Sequence, residues 1–378
     1  MKYLRQTGIA AILAAGAMAV CQPAFAKDFN ANIFFPDQHP LGKYGYVEWA
    51  ETVEAMSNGE LKATVFTGTV LLPPRSGMSG VRDGIAQVGY HAGTYTPAEL
   101  PISNALQEMG LNYSDALVMI AAASDFNMTN PAALDQWKKA GVVYGGGYST
   151  PSYNLMCTTP MKSVEDLKGK RLRTAGAAMS RWVESVGAVP VNVPSSEMYQ
   201  GLEKGVLDCA VNVASDLKSR SLWDVAKHTT MAPLGIYYSG PMWAYNQDFW
   251  KELSPADRQI FFDANAKAMA DLYVGYNASV DAALSEAASH GVSVYQPSDE
   301  MKASIQAFAD ANLVEVYKTG KEKYGLEDPE ALLGQFDATV KKWEKLFEGV
   351  DRKDSAAIET IIKVNLYDKL DSDKYGVN

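Results

Sequence analysis

The chain has 378 residues, 34 basic against 44 acidic for a formal charge of −10, and 47 % of its residues are hydrophobic. That acidic balance argues against nucleic acid and anionic lipid as partners, and the length suggests about two domains. At the N-terminus, Lys2 and Arg5 precede the apolar run Ile9–Val20, and Ala24-Phe25-Ala26 has the small-x-small pattern of a signal-peptidase site. Residues 1–26 therefore read as a secretory signal peptide, with Lys27 opening a periplasmic protein. The run is too short to cross a bilayer, and no later segment has the roughly 18 uninterrupted apolar residues that a membrane helix needs.

Phe29, Ala31, Ile33 and Phe35 alternate along a predicted strand, followed by the turn Pro36-Asp37-Gln38-His39-Pro40-Leu41-Gly42. Val47, Ala50, Val53 and Met56 then recur at helical spacing and stop at Asn58-Gly59. Strand 61–67 follows, then a helix over 81–86 and a strand at 88–90, the rhythm of βαβ units and a largely parallel sheet. The block 155–230 repeats that rhythm. Strands at 155–158, 170–174, 189–193 and 208–213 alternate with a short turn closed by Gly169, a helix from Gly176 to Val186, a helix from Ser195 or Ser196 to Gly205, and a helix over 215–227. Ser254 as N-cap, Pro255 at the first helical position and Gly291 after the last turn bound a stretch of about 36 residues, roughly 54 Å of helix. A lobe of half this chain has a radius of gyration of roughly 16 Å. One helix across two lobes is therefore preferred to two helices broken near Gly275.

Chemistry is sparse. The sequence has no His-Glu-x-x-His, Gly-x-Ser-x-Gly or P-loop, and Gly145-Gly146-Gly147 is followed by neither a lysine nor a helix start. His39, His91, His228 and His290 lack metal-ligand spacing, so neither cofactor nor metal is expected. Cys157 and Cys209 lie in apolar strand-like runs. They could pair in an oxidising compartment, but buried free thiols are the preferred reading. What remains is a binding site beyond the carboxyl ends of parallel strands. Arg173 lies at such an end, before a helix N-terminus, where a guanidinium can clamp a carboxylate. Period-2 geometry puts Arg171 on the same face.

The run Ser163-Val164-Glu165-Asp166-Leu167-Lys168-Gly169, with Arg173, Val186-Gly187-Ala188-Val189-Pro190-Val191, Glu197, Tyr199, Leu202, Gly205-Val206-Leu207-Asp208 and Asn212, resembles the substrate-binding subunit of tripartite ATP-independent periplasmic (TRAP) transporters, the dicarboxylate-binding family. The turn at 35–42, Trp223–His228 and Asn246–Trp250 extend the likeness over most of the chain. The resemblance implies an α/β clamshell of two lobes braced by a long helix. Residues 27–152 with about 242–300 would form the first lobe, 153–241 with about 301–345 the second, and 346–378 a C-terminal segment packed on them. It implies that Arg173 binds a carboxylate and that Asn212 hydrogen-bonds the same group. Members that bind sugar acids carry a second arginine about twenty residues earlier, where this chain has Tyr153, and Arg171 is the candidate replacement. Tyr90, Tyr95 and Tyr237 are candidate walls of the pocket, and Asn192 and Asp216 complete the candidate site. The expected function is capture of a small anionic organic solute, a carboxylate or related acid, by a monomer that delivers it to integral-membrane TRAP subunits. An exported enzyme on a related two-lobe fold is the alternative.

Overall fold

A computed structural model describes residues 27–377; the expected signal peptide lies outside the described residues. In chain order the strands are β1 (Lys27–Asn32), β2 (Leu61–Phe66), β3 (Val88–Gly89), β4 (Val142–Gly146), β5 (Tyr153–Cys157), β6 (Arg171–Thr174), β7 (Val189–Asn192), β8 (Cys209–Val213), β9 (His228–Thr230), β10 (Trp243–Asn246) and β11 (Ser293–Tyr295). They form two sheets, one of five strands in the order β2-β1-β3-β10-β4 and one of six in the order β11-β9-β5-β8-β6-β7. In the first, β1 pairs parallel with β2 and β3, while β10 runs antiparallel to β3 and β4. In the second, β6 pairs parallel with β7 and β8, and β5 runs antiparallel to β8 and β9. Each sheet is the floor of one lobe.

The chain passes between the lobes from β4 to β5 and back from β9 to β10. The two connections lie side by side: Thr150 N–H donates to Tyr237 O at 3.0 Å and Tyr153 N–H to Gly235 O at 2.8 Å. The third link is the helix Pro255–Glu286, 32 residues long and opened by a Ser254/Asp257 capping box. It does not break at Gly275. The bare Cα there admits the ring of Tyr44, which a Cβ would meet at 2.2 Å. Phe261 packs this helix on Phe29 and Trp49 of the first lobe, and Ala283 joins Met156 and Leu217 in the core of the second. Among the described residues no helix is long and apolar enough to cross a membrane.

Four expectations are corrected. Cys157 and Cys209 are directly opposite each other on β5 and β8 and form a disulfide; period and burial place both thiols in the core, but only strand pairing shows that they meet. The segment 215–227 is not one helix. It splits into Asp216–Ser219 and a 3₁₀ turn Leu222–Asp224, because Ser221 between them is left-handed at φ 55° and a right-handed helix cannot run through that backbone. Strand β11 belongs to the second sheet, beside β9. The helix Pro329–Leu346 packs on the first lobe, not the second. The helix Ala116–Thr129 is buried around its whole circumference, polar Ser124, Asp125 and Asn127 included, and the stripe Leu333, Phe336, Val340, Trp343 covers its outer side. There Phe336 meets Phe126, and Trp343 Nε1 donates to Asp125 at 2.8 Å. The C-terminal segment also docks on the first lobe, where Tyr367 Oη donates to Gly145 O and Trp250 Nε1 to Tyr375 O.

Candidate functional site

The carboxyl ends of β6 and β8 point into a cavity between the lobes. From the second lobe it is lined by Tyr153, Arg173, Ser195 and Asn212, from the first by Phe35, His39, Tyr90, Tyr95 and Tyr148, from the hinge by Tyr237 and from the long helix by Tyr276. Arg173 is the last but one residue of β6. The chain must then turn at Gly176, which caps the helix Ala177–Ser185 with φ 92°, a conformation glycine adopts at no steric cost.

Arg173 is 1 % exposed. Its Nε donates to Val193 O at 3.0 Å, Nη1 to Val211 O at 3.2 Å and Nη2 to the Tyr95 hydroxyl at 3.2 Å. A guanidinium has five N–H groups, so one on Nη1 and one on Nη2 stay unused. No carboxylate of the described residues pairs with this charge; the acids nearby are bound to Arg171 and Arg220. A buried cation without a counter-ion is costly, and its two spare donors form the fork that a carboxylate matches. The Tyr95 oxygen accepts from Arg173 and from Ser195 N–H at 3.0 Å, which leaves its own proton free to donate.

The walls are aromatic. Tyr153 and Tyr237 lie parallel with centroids 6.2 Å apart, and Tyr90 packs on Tyr148 at 5.0 Å. Burial pushes the Tyr153 and Tyr237 phenols up, against a smaller opposing pull from Arg173, so both stay protonated at neutral pH. Tyr237 is held by Thr94 at 2.8 Å, and Tyr90 donates to Tyr148 at 2.5 Å. Beneath Asn212 lies a buried polar cluster that joins the lobes. Asp216 accepts from Asn212 Nδ2 at 2.8 Å and Ser219 Oγ at 3.0 Å, and His39 Nε2 and Arg220 Nε each lie 3.2 Å from its carboxylate as charge partners. Burial pushes the Asp216 carboxyl up, but Arg220 and His39 outweigh it and hold the group below the usual carboxylate range. Burial lowers His39 to about 4. Its Nδ1 accepts from Leu41 N–H at 3.1 Å, which puts the proton of the neutral ring on Nε2, facing Asp216.

Of the residues singled out from sequence, Arg173, Asn212, Tyr153, Tyr90, Tyr95 and Tyr237 meet in this cavity, and Asp216 lies behind Asn212. Two do not. Arg171 sits at the opposite end of β6, its side chain 43 % exposed and bound through Nε and Nη2 to Asp208 at 3.0 and 3.1 Å. It shares a strand face with Arg173, but two residues of strand carry it about 7 Å away along the chain. Asn192 is exposed on the edge strand β7. Sequence reasoning missed His39, Tyr148, Ser195, Arg220 and Tyr276. His39 stood inside a recognised turn, and Tyr276 on a helix face where any aromatic reads as packing.

Two lobes, three crossings and a cation-bearing cavity at the hinge define the fold of a two-lobe solute-binding protein. The sequence model of the bacterial extracellular solute-binding protein family 7 matches residues 31–319, and the chain belongs to that family. Over 198 residues it is 31 % identical to the ectoine-binding periplasmic protein TeaA of Halomonas elongata, covering 50 % of this chain and 54 % of that protein. A solute-binding protein of Albidiferax ferrireducens aligns over 55 % of its length, so the chain spans about half the length of these curated relatives. With the C4-dicarboxylate-binding periplasmic protein DctP of Rhodobacter capsulatus it shares 23 % identity over 82 % of this chain and 87 % of the relative. Among solved structures, a marine metagenome TRAP solute-binding protein specific for aromatic acids, in complex with metahydroxyphenylacetate, superposes with a TM-score of 0.75 at 20 % identity, covering 84 % of this chain and 99 % of the other. A Rhodoferax ferrireducens TRAP solute-binding protein with copurified benzoate gives 0.75 at 18 %, covering 85 % and 99 %. These likenesses establish the fold.

Proposed function

We propose that this is an exported, monomeric periplasmic receptor that captures a small organic acid with one carboxylate and a flat or cyclic body, and passes it to the membrane subunits of a TRAP transporter. Arg173 carries the reading: a fully buried guanidinium with no acid beside it and two unused N–H groups facing a tyrosine-walled cavity. Among the described residues it is the one uncommitted cation at the cavity, since Arg220 beside it pairs with Asp216, and Arg171 lies away from it and pairs with Asp208. One carboxylate therefore fits better than two, which narrows the expected small anionic solute to a monocarboxylate. The relatives whose names include ectoine and aromatic acids bind molecules of this size and shape class. Thermal-shift screening of monocarboxylates, dicarboxylates and zwitterionic cyclic acids, followed by titration calorimetry and mass spectrometry of the mixture, tests the reading. The expected result is a monocarboxylate that stabilises the protein and is recovered unchanged. Dicarboxylate-only binding or conversion of the bound acid would overturn it.

A further inference from the structure

Asn212 offers the cavity an acceptor. Its amide nitrogen donates to Asp216 Oδ2 at 2.8 Å and lies 3.6 Å from Met198 Sδ, so both N–H groups are committed. Its carbonyl Oδ1 receives no hydrogen bond from the described residues, is not among the sealed polar atoms, and belongs to a side chain that lines the cavity. Amide orientation is settled by the network around it, and here the network leaves one choice. Every contact on Asp216 is a donor: His39 Nε2, Ser219 Oγ and Arg220. An ionised carboxylate accepts only, so Asn212 must turn its nitrogen inward and its oxygen outward. Arg173 Nη1 binds the carbonyl of Val211, the residue next to Asn212, which sets this acceptor beside the guanidinium.

Resting on the receptor reading above, we infer that the ligand carries an N–H or O–H donor next to its carboxylate, read by Asn212 Oδ1, and that Asp216 is the positioning residue that fixes this requirement. The carboxylate takes the Arg173 fork and the Tyr95 hydroxyl. A second carboxylate oxygen on Asn212, the arrangement that the family resemblance implies, would set two acceptors against each other. The cavity thus selects α-hydroxy acids and cyclic acids with a ring N–H over acids that are bare or carry an acceptor at that position.

Two isosteric pairs test this: pyrrole-2-carboxylate against furan-2-carboxylate, and mandelate against α-fluorophenylacetate. In wild type the donor-bearing member of each pair should bind about tenfold tighter or more, the size of a buried hydrogen bond replaced by two opposed acceptors. In Asp216→Asn the amide at that position can offer either an N–H or an oxygen, Asn212 can turn over, and the preference should fall within about threefold. A role of Asp216 in folding alone would lower affinity for both members and leave their ratio unchanged. Equal affinities in wild type, with binding still lost in Arg173→Ala, overturn the donor requirement and leave the receptor reading standing. An unchanged ratio in a folded Asp216→Asn overturns the role of Asp216. If none of the four acids binds, the inference falls, while the receptor reading is judged by the wider screen.

Discussion

Tyr95 of the first lobe holds Arg173 of the second across the closed cleft, its hydroxyl oxygen 3.2 Å from Nη2 and 3.0 Å from Ser195 N. The bond exists only while the lobes are together, so it couples closure to the aim of the guanidinium. Tyr95→Phe removes one hydroxyl and keeps the ring on Phe34. Ser195 N–H and one Arg173 N–H then lose their acceptor inside a buried site. A carboxylate found by screening should bind roughly tenfold more weakly, by about 1–2 kcal/mol. Small-angle scattering of the loaded variant should show a larger fraction of open protein than wild type. Unchanged affinity would show that Tyr95 merely fills space.

Arg173 itself is tested by a conservative and a drastic change. Arg173→Ala deletes the buried cation and should cost about 2–5 kcal/mol of binding, roughly 30- to 5,000-fold in Kd. Arg173→Lys keeps charge but not the planar fork, and should fall between the two. Circular dichroism should be unchanged, since the side chain touches the cavity and two backbone carbonyls rather than the apolar core. Calorimetry placing Arg173→Ala within threefold of wild type would move the site elsewhere.

The disulfide should matter for stability and not for affinity. Cys157 and Cys209 are at the ends of β5 and β8 remote from the cavity, while Tyr153 and Asn212 are at the near ends. Closing a span of 52 residues is worth about 4 kcal/mol in the chain-entropy account, with measured values of roughly 2–4 kcal/mol. A Cys157→Ala, Cys209→Ala double variant should unfold at correspondingly lower denaturant, with Kd within about threefold of wild type. A large loss of affinity would show that the bond sets the strand register on which the site depends.

The strands of both βαβ series, the long helix and the cation at the end of β6 were legible because each is a local pattern. Periodicity marks the strands, Ser254, Pro255 and Gly291 mark the helix ends, and strand end followed by helix start marks Arg173. What could not be read depends on which strands pair. The Cys157–Cys209 bond needs β5 beside β8, and Arg171 becomes a surface ion pair only because Asp208, immediately before β8, arrives beside it. The cluster of His39, Asp216 and Arg220 joins residues from opposite lobes, 177 positions apart at its widest step between His39 and Asp216. Pro329–Leu346 has a clear apolar stripe, yet the stripe alone does not say that the buried helix Ala116–Thr129 is its partner.

His39 makes affinity depend on pH. In the closed protein it is 1 % exposed, enclosed by Asp216 and Arg220 of the second lobe, the ring of Tyr276 on the long helix and Phe35 of its own turn. Burial lowers it to about 4; Asp216 pulls the other way and Arg220 with the burial. Once the lobes part and the ring is hydrated, its pKa returns toward the ordinary value of about 6.5. Between those values the open form takes up a proton that the closed form refuses, so falling pH favours opening. The penalty grows by about 1.4 kcal/mol per pH unit below 6.5. Asp216, held below the usual range, stays ionised from pH 7.5 to pH 5, where an ordinary ligand carboxylate is predominantly ionised as well. His91 is also lowered to about 4 by burial, but it lies within the first lobe against Thr96. Its titration lowers overall stability in acid and leaves the open–closed balance alone. Calorimetry should show Kd weakening roughly 10- to 30-fold from pH 7.5 to pH 5. In His39→Gln, whose amide can still donate to Asp216 without titrating, the profile should be flat within about threefold. Thermal melts of that variant should still lose stability in acid through His91. A pH-independent Kd in wild type would show that His39 stays buried when the lobes open.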